Sequence, residues 1–472
     1  MRNFLIVSIG QLVSLVGSGL TSFALGVWAY QSTGSVTQFA LLSLFLYLPN
    51  VIMAPIAGAI VDRWDRRQAM ILSDAAAGVG TVVIWALISS DMLEIWHIYI
   101  IVAIGSFFNS LQWPAYAAAT TMLVPKQQLT RANGIVQISK ATAKIISPAM
   151  AGLLIAWVSI EGILTIDFIS FMVALVTLLS VRFPNPEIVE KKTAPKMGEL
   201  LRETLSAWSY IAERQGLRGL LMLFTVIYFT LGVLQVLFWP LILNFSSPEK
   251  LGLILSIGGS GWLLGSLAIT AWGGPKPRIN GLFLFIPLQG ALLCLGGLQT
   301  SVALAAVGIF GYLFAYPIIL SCNQAIWQSK VPPILQGRVF ALQQAIERSS
   351  SIIAYIAIGP LVDRFFEPLL AVDGPLAGSV GQIIGVGPGR GIALLSILIG
   401  IANLLAVIAA YQYRPVRLVE RYLPDATDTW EPSAPGIGQE SSQHSATSSQ
   451  EIGAKAAEIY TSVSVEESPV GR

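Results

Sequence analysis

Gly58-Ala59-Ile60-Val61-Asp62-Arg63-Trp64-Asp65-Arg66-Arg67 crowds three arginines and two aspartates into a short stretch of a chain that is only 11% charged. A soluble globular domain carries about 25% charged residues. A chain this poor in charge, 54% hydrophobic and with a mean hydropathy of +0.70, has too few polar side chains to cover itself for water. The stretch is flanked by apolar runs at 37 to 61 and 69 to 90, each near the ~20 residues that a helix needs to cross the hydrocarbon of a bilayer. It therefore marks the connection between two membrane helices.

The same alternation of apolar run and brief polar break extends in both directions. The runs lie at 4 to 29, 37 to 61, 69 to 90, 95 to 122, 133 to 158 and 160 to 182, then at 217 to 244, 249 to 272, 279 to 299, 301 to 329, 338 to 362 and 389 to 412. They predict an all-α membrane protein of twelve transmembrane helices in two six-helix bundles. The first run is longer than the ~7 to 15 residues of a signal-peptide core and reads as a retained helix. Domains are expected at 1–182, 183–216 as a linker, 217–413, and 414–472 as a disordered tail rich in Ser, Thr, Gln and Glu. In the linker, Leu200, Leu201, Leu205, Trp208 and Ile211 recur at helical spacing. That pattern suits an amphipathic helix on the membrane surface or a plain soluble linker helix.

Short loops rich in Lys and Arg stay on the cytoplasmic side. Arg63, Arg66 and Arg67 follow the second run, Lys126 and Arg131 the fourth, Lys276 and Arg278 the eighth, Lys330 and Arg338 the tenth, and Arg414, Arg417 and Arg421 the last. Loops 30 to 36 and 245 to 248 carry no basic residue. Both termini are thus expected in the cytoplasm, with the chain in the cell's inner (plasma) membrane.

The halves echo one another. Val124-Pro125 and Arg131 match Val331-Pro332 and Arg338 at one offset, since 331 − 124 and 338 − 131 both equal 207, and the same offset pairs Gln137 with Gln344 and Gly152 with Gly359. Repeated bundles of this kind place a binding site at their interface near the membrane midplane.

Several chemistries have nothing to build on. Cys294 and Cys322 sit in apolar runs, and His97 and His444 have no further ligand types beside them, which speaks against a disulfide framework, a metal site or a histidine-based triad. No Gly-x-x-x-x-Gly-Lys-Ser/Thr sequence occurs, and a net charge of +2 gives no nucleic-acid footprint. Neither an enzyme nor a cofactor is expected.

Charged groups at membrane depth are costly and mark function by default; here they are Asp74, Lys140, Lys144, Asp167, Glu347 and Arg348. Asp74, about one turn into the third run, is expected to answer the preceding arginines. Asp167, some ~10 Å below the outer face, suits a proton carrier or a structural hydrogen-bond partner. Lys140 and Glu347 are another pair at offset 207, each roughly 10 to 15 Å inside the cytoplasmic face. They are expected to meet across the two halves as a gate, unless each pairs within its own half, Glu347 with Arg348 or Arg338. Lys144, one turn deeper, offers positive charge to an anionic substrate or titrates during a transport cycle.

Gly58 permits close helix approach, Asp62 can serve a helix N-terminus or a cation, and Arg63, Arg66 and Arg67 either form carboxylate pairs that lock a gate or simply obey the loop-charge rule. With its Gly-x-x-x-Asp-Arg-x-x-Arg-Arg spacing, the loop resembles the signature of the major facilitator superfamily, and the resemblance runs over residues 1 to about 413. The matching loop of the second half, Gly273-Gly274-Pro275-Lys276-Pro277-Arg278, lacks the aspartate. Gly10-Gln11, Val13-Ser14, Gly17-Ser18 and Thr33-Gly34-Ser35 look like the drug-exporter branch that includes macrolide efflux pumps and the enterobactin exporter. So do Leu129-Thr130-Arg131-Ala132-Asn133-Gly134, Ile166-Asp167 and Ser170-Phe171.

Ala143-x-x-x-Ser147-Pro148-Ala149-Met150-Ala151-Gly152 is similar to the family's antiporter signature with small residues for several glycines; ordinary small-residue packing explains it equally well. Helices one, four, seven and ten line the cavity in this family, which implies contacts from Gln11, Asn109, Gln112, Trp113, Tyr228, Gln235, Trp239, Asn323, Gln324 and Trp327. Neutral polar and aromatic groups of this sort suit a bulky amphipathic compound. The resemblance implies a monomeric, proton-driven exporter of macrolide-like drugs or a siderophore, partnered by its substrate, protons and the bilayer. The competing class is a receptor or lipid-handling scaffold that does not transport.

Overall fold

The computed structural model describes residues 1–125, 128–181, 183 and 197–425, and side chains throughout these except at 54–56, 58, 59, 61–63, 130, 197–204 and 334. The described elements are helices α1 Arg2–Thr33, α2 Val36–Arg63, α3 Arg66–Ser89, α4 Ile95–Leu123, α5 Leu129–Ser180, α6 Met197–Glu213, α7 Gln215–Leu243, α8 Pro248–Trp272, α9 Ile279–Leu298, α10 Val302–Lys330 and α11 Pro333–Leu361. A π-helical turn, Val362–Phe366, leads to the short α12 Glu367–Leu369 and α13 Gly381–Ile384, and α14 Arg390–Gln412 precedes α15 Arg414–Arg417 and α16 Val419–Tyr422.

Among the described residues, ten helices are long and apolar enough to cross a membrane. One of them, α5, is two helices that meet at Ser159 (φ 55°, ψ −176°), where the sequence divides 158 from 160. The 29-residue α11 matches them in length but carries Gln343, Gln344, Glu347 and Arg348, which lower its hydropathy. With α5 taken as two and α11 added, the count by length reaches twelve.

Caps set the helix ends and correct several expected boundaries. Gly34, in the left-handed region at φ 61°, ends α1, and the Ser35 hydroxyl accepts from the Gln38 amide to start α2. The Asp65 carboxylate accepts from the amides of Arg67 and Gln68, so α3 begins at Arg66 and takes both arginines into its first turn. Asp65 serves that N-terminus; the Asp62 side chain, to which the sequence reading gives such a role, lies outside those described. Asp74 consequently stands two turns into α3. Pro333, whose missing N–H costs nothing in the first turn, starts α11 early and draws Arg338 out of the loop.

The linker helix lies on the second bundle. Ala207, Tyr210 and Ile211 are buried, and the Tyr210 hydroxyl donates to the Lys330 carbonyl at 2.7 Å. Leu205 and Trp208 stay exposed, which splits the expected apolar stripe; Leu200 and Leu201 lie outside the described side chains. The tail expected to be disordered from 414 begins with the ordered α15 and α16. There Val416 and Val419 are buried, and the nearly inaccessible Lys330 ammonium donates to the carbonyls of Glu420 and Leu423 and to Asp425. A buried ammonium needs such acceptors, and they order the chain to residue 425; the rest of the expected tail lies outside the described residues.

Each bundle has its own core near the end that carries Met1 and α15, here called the basic end. Phe4, Met70, Leu111 and Leu178 pack in the first, Phe224, Leu282, Ile319 and Val416 in the second. At the opposite end the cores are shared. Tyr30, Phe39 and Ala40 pack with Val236, Tyr355 and Ile358, and Leu20, Phe23 and Ala151 pack with Ile242, Leu251 and Ile254. The bundles thus part at the basic end and close at the other.

Small residues carry the closure, as expected where lipid removes any hydrophobic drive between helices. A Cβ on Gly252 would stand 2.2 Å from the Pro148 carbonyl oxygen, and one on Gly152 would stand 2.9 Å from that of Pro248. In the other crossing, a Cβ on Gly359 would stand 2.5 Å from Thr37 Cα. Gly152 and Gly359, related by the 207-residue offset, therefore fill equivalent places where α5 meets the first turn of α8 and α11 meets the first turn of α2.

Candidate functional site: a cavity between the bundles

A cavity of about 730 Å³ lies between the bundles. Its first-bundle wall holds two buried carboxylates. Asp74 accepts from Gln11 Nε2 and Gln112 Nε2, each at 2.9 Å, and Gln112 Nε2 also reaches Gln11 Oε1 at 2.9 Å. These three come from α3, α1 and α4, so the carboxylate ties the bundle together through amides and not through the arginines that the sequence suggests. Asp167, 4% exposed, accepts from Thr21 Oγ1 at 2.8 Å, Thr81 Oγ1 at 3.0 Å and Ser18 Oγ at 3.4 Å. Close packing of α1 on α5 brings this about, for a Cβ at Gly17 would collide with Ser170 and Asp167.

The second-bundle wall is aromatic. Trp262 and Tyr316 stand 5.0 Å apart, Tyr228 and Arg348 lie beside them on the lining, and the Tyr355 hydroxyl donates to Gln235 Oε1 at 2.9 Å. Tyr47 stacks on Tyr355 with centroids 5.4 Å apart, which joins the bundles across the cavity. Lys144 lies over the Trp262 ring at 4.4 Å and Lys140 over the Trp113 ring at 3.0 Å, contacts that an aromatic face stabilises by about 0.5 to 2 kcal/mol each.

Of the expected cavity residues, Gln11, Asn109, Gln112, Tyr228 and Gln235 line it. Trp113 instead carries Lys140, and Trp239 packs on Phe23 and Phe39 in the closed end. Asn323 and Trp327 are buried in the second bundle, and Gln324 is half-buried and off the lining. On α10 it is Tyr316 and Leu320, farther from the basic end, that face the cavity. Family rules name the helix that lines a cavity but not the level along it. Sequence reasoning missed Tyr47 and Asn50 on α2, Trp262 on α8, and Ser351 and Tyr355 on α11, because it looked to helices one, four, seven and ten. Arg348 is legible in the sequence as a charge at membrane depth, but its place on the lining is not.

The proposed pair is apart in this conformation: Glu347, 2% exposed, accepts from Gln343 Nε2 at 3.0 Å within its own helix, while Lys140 is on Trp113. In the gate motif, the side chains of Gly58, Asp62 and Arg63 lie outside those described. Arg67 donates from Nε to the Leu178 carbonyl at 3.0 Å and from Nη2 to that of Leu179 at 2.7 Å. It thereby satisfies open carbonyls at the C-terminal end of α5. Pro148 and Gly152 sit in the α5–α8 crossing, and the Ser147 hydroxyl donates to the Val16 carbonyl of α1 at 3.1 Å. Among the described residues no cluster of His, Cys, Asp and Glu is placed to hold a metal.

The family model for the Major Facilitator Superfamily matches residues 7–355. The chain belongs to the major facilitator superfamily. It is therefore a multi-pass membrane transporter and not an enzyme. Macrolide efflux protein A of Streptococcus pyogenes is 28% identical over 365 residues, covering 75% of this chain and 88% of that protein. The enterobactin exporter EntS of Citrobacter koseri is 24% identical over 364 residues, 76% of this chain and 85% of its own. Among solved structures, the nucleoside transporter NupG superposes with a TM-score of 0.67 at 12% identity, over 88% of this chain and 100% of that one, which speaks for the fold alone.

Proposed function

We propose that this superfamily member is a proton-driven exporter of amphipathic small molecules that works by alternating access, with both termini in the cytoplasm. The observation that carries the reading is the setting of Asp167 on the cavity wall: a deeply buried carboxylate that accepts from the side-chain hydroxyls of Ser18, Thr21 and Thr81. A hydroxyl both donates and accepts. Asp167 can therefore take and release a proton without losing its partners, as a carrier in an antiport cycle must. Asp74 accepts from the amide groups of Gln11 on α1 and Gln112 on α4, and we assign it the structural role of joining α1, α3 and α4.

The cavity volume lies within the usual range for small-molecule sites. Tyrosines, Trp262, Asn50, Asn109 and the glutamines supply flat apolar faces with scattered hydrogen-bonding groups, a lining suited to macrolide-like drugs or a siderophore, the cargoes for which the two relatives are named. Arg348 adds positive charge on the lining, and Lys144 lies over the ring of the lining residue Trp262. With the basic loops in the cytoplasm, this conformation is open to the inside. The outward state then requires α5 to part from α8 and α2 from α11, while Lys140 and Glu347 come within reach of each other as a gate. The protein acts as a monomer.

Accumulation of a macrolide and of a fluorescent dye in pump-deficient cells, with and without a proton uncoupler, tests the reading. Cells with the wild-type protein should accumulate several-fold less, and both the uncoupler and Asp167→Asn should erase the difference. Export that persists in Asp167→Asn at full rate would remove Asp167 as the carrier.

A further inference from the structure

The gate signature has an echo at the opposite end of the molecule. Gly359-Pro360-Leu361-Val362-Asp363-Arg364 repeats the Gly-x-x-x-Asp-Arg spacing of Gly58 to Arg63, and it terminates α11 as the first copy terminates α2. Asp363 stands in the π-helical turn after α11 and reaches into the other bundle. Its Oδ2 accepts from the Ser35 hydroxyl at 2.6 Å and from the Thr37 amide at 2.9 Å, and its Oδ1 from the Val36 amide at 3.1 Å. A side chain of the second bundle thus caps the N-terminus of a helix of the first, where free amide donors and the helix dipole favour a negative charge.

One turn earlier, Gly359 lets the two helices approach, since any Cβ there would strike Thr37. One turn later, Glu367 accepts from the amides of Gly389 and Ile392 at 3.1 Å each, at the start of α14 in its own bundle. The π turn and the residue that follows it accordingly supply two acidic caps with opposite tasks: Glu367 anchors the turn at home and Asp363 fastens it across the interface. Nearby, Asn244 Nδ2 donates to the Tyr30 hydroxyl at 2.7 Å, a further bond between the bundles. These groups line a cleft of about 650 Å³ at the closed end, so water can take over the exposed amides once the bundles separate.

We propose that Asp363 is a positioning residue of the transport cycle, a latch that holds the cavity shut at the closed end by capping α2 from the opposite bundle. The latch rests on the alternating-access reading, but not on the identity of the substrate or the coupling ion. Opening that end must break three hydrogen bonds at once and strip α2 of its anionic cap, whereas no cap inside a single bundle is lost. Removal of the carboxylate should therefore favour the state open at that end by about tenfold, the weight of one helix cap.

The test is a distance measurement by double electron–electron resonance on protein in lipid nanodiscs. Spin labels go at the exposed positions Ser32 and Lys250, one on each bundle near the closed end, with Cys294 and Cys322 replaced by serine. The wild type should give mainly the short distance, and Asp363→Ala should raise the long-distance fraction about tenfold. Asp363→Asn keeps a side-chain acceptor and should shift it less. Ser35→Ala, which leaves α11 untouched, should shift it in the same direction and guards against a misfolded Asp363→Ala. Glu367→Ala should lower thermal stability without moving the distribution, since its bonds stay within one bundle. An unchanged distribution in both Asp363→Ala and Ser35→Ala overturns the latch, and so does a shift in Glu367→Ala as large as that in Asp363→Ala. Neither outcome depends on whether a dye is exported, so the latch and the exporter reading fail separately.

Discussion

At the scale of single residues, partners decide what each intramembrane charge does. Asp74 and Asp167 are both buried acids of the first bundle, yet one meets amides and the other hydroxyls. Their partners were not legible from position in the chain, since Gln11, Thr21 and Thr81 come from helices distant in sequence. If the hydroxyls let Asp167 cycle its proton, the double variant Thr21→Val, Thr81→Val should lower uncoupler-sensitive export by more than about tenfold, as two hydrogen bonds to a charged group are worth ~1.5 to 3 kcal/mol each. Ser18→Ala removes only the long 3.4 Å bond and should cost little. Equal losses in the two variants, read by initial rates of dye efflux, would count against this division of labour. Arg67 teaches the same lesson from the other side. Its charge was legible and its loop was legible, but its use on the Leu178 and Leu179 carbonyls depends on α5 ending beside α3.

At the scale of elements, most of the helices could be read from hydropathy, because a membrane span needs a long apolar run and ends where polar groups return to water. The errors came at the ends, where a cap outweighs hydropathy: Asp65 moves the start of α3 to Arg66, and Lys330 orders the chain past α14 by collecting carbonyls. How the helices cross depends on small residues. Gly252 meets the Pro148 carbonyl so closely that Gly252→Val must push α5 and α8 apart. Overpacking of this sort costs about 1 to 3 kcal/mol. Gly252→Val should thus lower the thermal unfolding midpoint in detergent and reduce export. Gly105→Ala, at a glycine with open space around it, should leave the midpoint unchanged.

For the whole molecule, the closed end is a seam between two bundles that otherwise keep separate cores. The Tyr47–Tyr355 stack lies on that seam beside the cavity. Cysteines at both positions, joined by a short bifunctional maleimide, should hold the bundles in this conformation and bring export to background. A cleavable disulfide-containing linker should allow recovery once a reductant is added. Full export by the cross-linked protein would be incompatible with a cycle that opens this end.

The amino-acid sequence by itself determined the class of molecule: the apolar runs, the alternating loop charge, the two halves offset by 207 residues and the Gly58 to Arg67 motif all follow from local composition and spacing. These are properties of one helix or one loop at a time, and the bilayer enforces them segment by segment. Which residues face the cavity, which acid meets hydroxyls, and that Asp363 of one bundle caps a helix of the other were decided only by the tertiary structure. Each depends on the rotation and level of one helix against another, and no periodicity within a single helix specifies either.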